Sequence, residues 1–292
     1  MARVSVVIPT YNRGDTLPET LQSVFAQTYR DYEVIVVDDG STDDTPAVMD
    51  PFRDRVHYIY QPNAGQARAR NHGVRSARGE FIALLDSDDA WEPELLETEV
   101  GVLDRLPEVV LVSARSTTAG KASEEFPRTQ DVFWGDLFLK LFQGNFINTS
   151  AVVVRRTCLE AAGGFNERYR CYEDYDLWLR IARWYPVAYV SRSLVRCGRQ
   201  GDNVSKDRTR PREIILEILN SHYDPVRIPD AVYRRRVSNC CLALGRISLN
   251  QGDPHLAWEY FRRSRALTPF SLRPYRYLLR GLLKGSGVAG QG

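Results

Sequence analysis

The regular alternation of short β-rich runs with amphipathic stretches over the first 115 residues constrains the fold most. Such alternation is typical of βαβ units, which build a parallel sheet with helices on its faces. The β-rich runs are 3–8, 32–37, 56–60, 80–85 and 109–113, and helices are predicted at about 15–27, 43–53, 65–77 and 93–105. The sequence therefore predicts an α/β domain with a Rossmann-like, mostly parallel sheet flanked by helices.

The pattern loosens after residue 115, and the chain beyond residue 211 has an almost entirely helical pattern, broken at Gly252 and Pro269. Between these regions the sequence predicts helices at 132–142, 157–162 and 173–184 and strands at 149–154 and 187–195. We expect two regions, an α/β domain over residues 1–205 and an all-helical, basic C-terminal extension over residues 206–292.

Composition places the chain among ordinary globular proteins, because 43% of its 292 residues are hydrophobic and 26% are charged. No apolar run approaches the roughly 18 residues that cross a bilayer, and the apolar start Val4–Ile8 is too short for a signal peptide. The five cysteines show no CxxC spacing and are expected to be reduced thiols. These features predict a cytoplasmic protein.

Charge is distributed unevenly along the chain. Residues 206–292 carry 16 Lys or Arg and 7 Asp or Glu, whereas residues 1–205 have a net charge of −7. The basic residues are interleaved with aromatic ones, so we expect that this region could associate peripherally with the anionic inner face of a membrane. The alternative is a solvated helical face. Nucleic acid is not an expected partner, since no recognised binding module accompanies the charge.

Polar residues stand at the end of each of the first four predicted strands, in residues 9–12, 38–41, 61–63 and 86–89. In open α/β sheets the ligand binds at the carboxyl ends of the strands. The four strands are therefore expected to deliver these groups to one edge of the sheet.

Asp86 and Asp88 occupy alternate positions just past a buried strand, so an extended backbone would direct both carboxylates to one side. Two like charges held so close need a cation, and Mg²⁺ or Mn²⁺ takes one or two carboxylates together with water and substrate phosphates. The alternative is that Asp88 or Asp89 caps the following helix.

Asp39 can accept the ring N–H of a pyrimidine at a strand end, and Gly40 lets the chain turn away. The alternative is a plain turn with a helix cap.

Arg70 lies on the helix that begins after Gly65, where a helix N-terminus beside arginine favours phosphate or ribose. None of the four histidines has a ligand-like partner, and all four are interpreted as structural.

Three acidic side chains, Glu173, Asp174 and Asp176, stand at a predicted helix N-terminus. The helix dipole alone favours acidic residues there. The functional alternative is that one of them is a general base, a role that typically contributes about 10²- to 10⁴-fold in rate.

Taken together, these motifs resemble the family 2 inverting glycosyltransferases with the GT-A fold. The resemblance covers residues 1 to about 205 and rests on the order and spacing of six segments, which are 4–12, 34–43, 63–71, 86–89, 163–165 and 173–180. It does not extend to the tail beyond residue 210. Gln200 stands where many members carry a histidine, so no third protein ligand to the metal or the leaving phosphate is implied.

The resemblance implies a role for each matching residue. Thr10, Tyr11 and Asp39 would hold the nucleobase. The stretch Ala69-Arg70-Asn71 would help bind the nucleotide, with Arg70 as its charged residue. Asp86 and Asp88 would flank a Mn²⁺ or Mg²⁺ ion on the diphosphate, with Asp88 as the direct ligand. Asp174 would be the catalytic base.

The implied activity is inverting transfer of a sugar from a nucleoside-diphosphate sugar, with UDP as the leading guess, to an acceptor hydroxyl. The acceptor could be a saccharide, a lipid-linked glycan or a protein, in cell-surface polysaccharide or glycoconjugate synthesis. One alternative is a phosphatase of the haloacid dehalogenase type, but Ala90 stands where that motif wants Thr or Val. Another is a non-catalytic nucleotide-sugar-binding or scaffold protein.

Overall fold

The computed structural model describes residues 2–118, 121–122, 126, 130–198, 209–273 and 275. The chain divides into two compact units, Met1–Gly201 and Asp202–Gly292. The boundary expected between residues 205 and 206 lies outside the described residues, as does Gln200.

The first unit alternates strands and helices along most of its length. Its strands are β1 Val4–Thr10, β2 Tyr32–Asp38, β3 His57–Tyr60, β4 Phe81–Leu84, β5 Ala90–Trp91, β6 Leu111–Thr118, β7 Lys121–Ala122, β8 Val132–Gly135, β9 Val152–Arg155 and β10 Val187–Arg196. Its helices are α1 Leu17–Phe25, α2 Thr45–Val48, α3 Gln66–Ser76, α4 Leu95–Arg105, α5 Phe138–Gln143, α6 Arg156–Ala161 and α7 Glu173–Ala182. Short 3₁₀ helices occupy Asp50–Phe52 and Thr149–Ala151.

The strands form one mixed sheet in the order β3-β2-β1-β4-β9-β6-β10-β5, with β7 paired to β6 and β8 to β10. The first four strands in this order run parallel, and β6 also runs parallel to β10. Strand β9 lies antiparallel between β4 and β6. The predicted α/β sheet flanked by helices is confirmed. Each of its antiparallel pairs includes a strand after residue 115, where the sequence pattern is less regular.

The helix predicted at 132–142 is wrong in its first half. Val132–Gly135 is a strand that pairs antiparallel with β10, with Val132 opposite Val190, and the helix begins only at Phe138. A short apolar run does not distinguish strand from helix, and a partner strand more than 50 residues away decides the outcome here. The predicted helix at 43–53 is likewise reduced to α2 and the 3₁₀ helix Asp50–Phe52.

Close packing of α3 on the sheet positions the N-terminus of this helix at the polar edge. Gly73 makes this packing possible, because a Cβ at this position would clash with the side chain of Val7 on β1. Val7 and its neighbours on β1 are fully buried, as the continuous apolar run predicts for a strand covered on both faces. The start of α3 therefore lies beside the carboxyl ends of β1 and β2.

The second unit is helical and consists of α8 Thr209–Ser221, α9 Asp230–Asn250 and α10 Pro254–Leu267. Phe261 of α10 packs where Gly245 of α9 has no side chain. Asp253 caps α10 by accepting a hydrogen bond from the Leu256 N–H at 2.9 Å. Within the described part of the chain, no helix combines the length and the apolar character that crossing a membrane requires.

Candidate active site

The ends of β1 and β2 form one side of the candidate site. Thr10 and Asp38 lie opposite each other in the parallel register, and the Asp39 N–H donates to the Thr10 carbonyl at 2.8 Å. The Thr10 hydroxyl oxygen is buried and has no hydrogen-bond partner among the described residues, whereas the Tyr11 ring is 46% exposed. The end of β1 thus carries, beside Asp39, a buried hydroxyl without a partner in the described part of the chain, and the next residue along the chain has an accessible ring.

The Asp39 carboxylate fastens the loop that opens α3. Its Oδ1 accepts from Gln61 Nε2 at 2.7 Å and from the Ala64 N–H at 2.8 Å, and its Oδ2 accepts from the Gly65 N–H at 2.8 Å. Gly65 has a φ of 95°, which a residue with a side chain rarely adopts. Since a carboxylate offers about four lone pairs, acceptor capacity remains on Oδ2 for a ligand N–H.

Asp38 has a different role from its neighbour. It accepts from the Ser41 N–H at 2.8 Å and from the Tyr58 hydroxyl. Burial raises the pKa of Tyr58, and the bond to Asp38 raises it further. The turn expected as the alternative for this motif is therefore present, but Asp38 closes it while Asp39 binds the 61–65 loop.

Arg70 links three separate segments of the chain. Its Nη1 donates to Glu173 Oε1 and its Nη2 to Asp86 Oδ1, both at 2.6 Å. Burial alone would lower the pKa of Arg70, but the charges of Asp86 and Glu173 outweigh it and raise the pKa. A permanently charged guanidinium therefore holds α3, the loop after β4 and the start of α7 together. Sequence reasoning expected Arg70 to face the nucleotide and did not foresee this bridge to Glu173.

The acidic loop after β4 carries its three carboxylates in different environments. Asp88 lies 3.5 Å from Arg13, and burial together with the charge of Asp86 raises its pKa. Burial raises the pKa of Asp89 to about 6, and its Oδ1 accepts from the Gly198 N–H at 2.9 Å. The alternative that Asp88 or Asp89 caps the next helix is wrong, because α4 begins at Leu95 and has no side-chain cap.

Asp86 and Asp88 suit a divalent cation that completes its coordination from the substrate. Each is partly exposed, at 27% and 31% of the side chain, and the charge of Asp86 disfavours ionisation of Asp88. A cation relieves this repulsion, and carboxylate oxygens are hard ligands that Mg²⁺ and Mn²⁺ prefer. Among the described residues no group of three or more His, Cys, Asp or Glu side chains could hold a metal. Mg²⁺ is commonly bound through one or two carboxylates together with water and substrate phosphates.

Asp174 stands in the first turn of α7, beside Glu173. Its Oδ2 accepts from the Thr149 hydroxyl at 3.1 Å, and its Oδ1 accepts from the Tyr175 N–H at 2.7 Å. Burial raises the pKa of Asp174, and the positive charge of Arg70 opposes this shift in part. A half-buried carboxylate with a raised pKa, fixed by two donors, has the properties of a general base.

Asn71 follows Arg70 on α3, but its side chain forms hydrogen bonds with the loop after α6. Its side chain accepts from the Phe165 N–H at 2.8 Å and donates to the Phe165 carbonyl at 2.9 Å and to Glu167 at 3.0 Å. The conformation of this loop requires Gly164, whose φ is 69°. The centroid of the Phe165 ring lies 5.3 Å from the Arg70 guanidinium, so this loop also contacts the arginine that bridges Asp86 and Glu173.

A cavity of about 740 Å³ adjoins this loop on a different face of α3 and α7. Its wall includes Asn71, Arg75, Phe165 and Arg180. Asn71 belongs to the stretch expected to help bind the nucleotide. The aspartates and Arg70 of the candidate active site, by contrast, lie at the polar edge of the sheet and do not line this cavity.

The sequence matches a family model described as Glycosyl transferase family 2 over residues 5–159. An uncharacterized glycosyltransferase of Rickettsia typhi is 28% identical over 199 residues, which cover 66% of this chain and 63% of the relative. TuaG of Bacillus subtilis, a putative teichuronic acid biosynthesis glycosyltransferase, is 40% identical over 101 residues, which cover 33% of this chain and 40% of TuaG. The chain thus spans less than two thirds of the length of these relatives.

Two solved structures share the fold at low sequence identity. TarS 1-349 of S. aureus in complex with UDP-GlcNAc has a TM-score of 0.72 at 19% identity, covering 100% of this chain and 93% of TarS 1-349. The mannosyltransferase PcManGT of Pyrobaculum calidifontis, in complex with GDP-Man and Mn²⁺, has a TM-score of 0.63 at 21% identity and covers 98% of this chain and 80% of its own. The expected GT-A fold is confirmed, and because the family model matches more than half of the sequence, the chain belongs to glycosyltransferase family 2.

Proposed function

We propose that the protein transfers a sugar, with inversion, from a nucleoside-diphosphate sugar to an acceptor hydroxyl. The observation that carries this proposal is the double bridge of Arg70 to Asp86 and Glu173. It holds the acidic loop, which suits a cation and a diphosphate, beside the helix start that bears Asp174. This arrangement supports a site in which the proposed donor-binding groups and the proposed base lie at one edge of the sheet.

The donor is proposed to be a UDP-sugar, with its base beside Thr10, Tyr11 and Asp39. The remaining acceptor capacity of Asp39 suits a ring N–H such as that of uracil, and the exposed Tyr11 ring can contact the base face. The structural neighbour TarS binds UDP-GlcNAc, which supports the same choice of nucleotide. Polysaccharide or glycoconjugate synthesis is proposed as the context, since the relative TuaG is a putative teichuronic acid biosynthesis glycosyltransferase.

A divalent ion, Mn²⁺ or Mg²⁺, is proposed to be held by Asp88 and Asp86. When bound, such an ion neutralises negative charge on the leaving diphosphate. PcManGT is seen with Mn²⁺, which supports a metal in this fold. Arg13 lies 3.5 Å from Asp88 and is a cationic partner of this carboxylate.

Asp174 is proposed to take the proton of the acceptor hydroxyl while the acceptor oxygen forms its bond to the anomeric carbon. The bond from that carbon to the diphosphate oxygen breaks on the opposite face, and the nucleoside diphosphate leaves with the electron pair. Thr149 keeps the carboxylate oriented through its hydroxyl. No covalent sugar–enzyme intermediate is needed in this scheme.

Asp174→Asn tests this proposal, because an amide cannot accept the proton while the shape of the side chain is kept. With a donor found by screening nucleotide sugars, we expect transfer to fall by at least about 10²-fold while donor affinity in calorimetry stays within a few-fold. Glu160→Gln on the exposed face of α6 is the control and should leave both values unchanged. Unchanged turnover in Asp174→Asn would remove this residue from the role of base.

We also propose a cytoplasmic location with peripheral association of the helical unit with an anionic membrane. Trp258, Arg262 and Arg265 follow i, i+4, i+7 spacing on an exposed side of α10, and Phe270 just beyond it is 98% exposed. Aromatic and arginine side chains are typical of helices that lie in the interface of an anionic bilayer.

Sedimentation with lipid vesicles tests the membrane proposal. The protein should bind vesicles that contain about 30% phosphatidylglycerol and should not bind pure phosphatidylcholine vesicles, each Lys or Arg near the surface contributing about 1 kcal/mol. The pair Arg262→Glu and Arg265→Glu should lose binding, whereas Arg235→Glu, on the exposed surface of α9, should retain most of it. Equal partitioning to both vesicle types would contradict the proposal.

A further inference from the structure

His72 lies on α3, and its Nδ1 is 2.8 Å from Oε1 of Gln61. The other end of the same Gln61 amide, Nε2, is 2.7 Å from Oδ1 of Asp39. The chain of contacts therefore runs from a histidine interpreted as structural in the sequence to the carboxylate proposed to recognise the nucleobase.

The donor and acceptor of each hydrogen bond between His72, Gln61 and Asp39 follow from the groups involved. A carboxylate oxygen accepts from an amide NH₂ group, so Gln61 turns its NH₂ group toward Asp39 and its carbonyl oxygen toward His72. The carbonyl oxygen only accepts, so His72 must carry its proton on Nδ1. The contacts thus fix the orientation of one amide and the tautomer of one imidazole.

The consequence falls on Asp39. Gln61 and the Ala64 N–H together occupy Oδ1, and the Gly65 N–H occupies part of Oδ2. Gln61 and Asp39 are both buried, at 8% and 4% exposure, so bulk water does not readily replace a missing donor. The three protein donors therefore fix the orientation of the carboxylate, and with it the direction from which Oδ2 can accept a further hydrogen bond.

We propose that His72, acting through Gln61, is a positioning residue that makes the site select a nucleobase with a ring N–H donor. Uracil and guanine carry such a donor, whereas the corresponding ring nitrogen of cytosine or adenine is an acceptor and would face the Asp39 carboxylate unfavourably. This inference rests on the proposed nucleotide-sugar donor and adds a residue outside the base-binding contacts.

Two substitutions of His72 separate positioning from simple structural support. His72→Asn places an amide N–H close to the position of Nδ1 and can still donate to Gln61. His72→Leu fills similar space without a donor. His57→Leu, at an exposed position on β3, is the control for loss of a histidine. Thermal melting checks that each variant folds.

The measurement is calorimetric binding of UDP, GDP and CDP with Mn²⁺ to the full chain, together with the kinetic constants. For whichever of UDP and GDP the unchanged protein binds more tightly, His72→Leu should weaken binding by about 3- to 10-fold, the effect of one neutral hydrogen bond. Affinity for CDP should not change, so the ratio of the affinity for that preferred nucleotide to the affinity for CDP should fall. The donor KM should rise with kcat within about twofold.

His72→Asn should restore both the affinity and the ratio to within about twofold of the unchanged protein. The inference is overturned if His72→Leu leaves the ratio intact, or if His72→Asn is as impaired as His72→Leu while both variants fold. If the unchanged protein binds none of the three nucleotides, the proposed function itself is overturned. If only the variants differ from expectation, the proposed function stands and the inference about His72 alone is overturned.

Discussion

Arg70 and Glu173 are 103 residues apart in the sequence, yet Arg70 Nη1 donates to Glu173 Oε1 at 2.6 Å with both side chains at most 5% exposed. A buried ion pair adds little stability over a well-packed apolar pair, but removing one partner leaves an uncompensated charge. The pair therefore fixes geometry, and its disruption has consequences that can be measured.

Arg70→Met should reduce the free energy of unfolding by about 3 to 5 kcal/mol, because Glu173 remains buried without its partner. Arg68→Met, on the exposed face of the same helix, is the matched control and should change stability little. Urea unfolding measures both. Adding Glu173→Gln to Arg70→Met should recover part of the loss, and equal stability of Arg70→Met and Arg68→Met would show that the bridge does not act as described.

Asp88→Asn should abolish the Mn²⁺-dependent part of UDP binding, because the amide is a weaker ligand and carries no charge. Titrations with Mn²⁺ and with a chelator measure that part directly. Asp131→Asn, an exposed site just before β8, is the control. An Asp88→Asn protein whose UDP affinity still rises with Mn²⁺ would exclude Asp88 as a ligand.

Thr149→Val should move the acidic limb of the pH–rate profile to higher pH. Burial already raises the pKa of Asp174, and the Thr149 hydroxyl opposes that rise. Without the hydroxyl the pKa rises further, so the carboxylate is protonated, and inactive as a base, up to a higher pH. Thr149→Ser keeps the hydroxyl and should keep the profile. Coincident profiles of the valine and serine variants would contradict this assignment.

Glu99→Gln should stabilise the protein at alkaline pH. Glu99 is fully buried on α4, and burial raises its pKa well above 4.5, which the nearby backbone N–H groups of Ala114 and Val153 offset only in part. Because the folded form holds its proton longer than the unfolded form, stability falls as pH rises from about 4.5 toward the raised pKa, by at most about 1.4 kcal/mol per pH unit.

Urea unfolding at pH 5 and pH 8 checks this sign. The loss of stability between the two pH values should be smaller in Glu99→Gln than in the unchanged protein. Glu108→Gln, at an exposed position, should retain the full loss. A Glu99→Gln protein with the same pH dependence as Glu108→Gln would show that Glu99 is ionised in the folded state.

The sequence predicted most clearly the part of the fold that depends on local patterns. Continuous apolar runs gave β1, β2 and β4, and Gly65 marked the start of α3. Strand β8 was mistaken for part of a helix, because only its pairing with β10 distinguishes the two. Short strands of this kind gain their identity from a distant partner that the sequence does not indicate.

The same limit applies to the candidate site. Asp39, Asp86 and Asp174 could be named because each follows a strand or begins a helix. The bridge of Arg70 to Glu173 and the contact of His72 with Gln61 could not, since both depend on tertiary packing. The pairing of Asn71 with the backbone of Phe165 was hidden for the same reason, although the two consecutive glycines before Phe165 signal an unusual loop.

The location of the groups along the chain has a consequence for redesign. The residues proposed to read the donor all precede residue 90, whereas Asp174 arrives from a segment more than 80 residues later. A chimera that exchanges the later segment for that of a relative could therefore inherit a new acceptor preference while keeping its nucleotide. Such an exchange should succeed only where the incoming helix brings its own carboxylate to meet the guanidinium of Arg70.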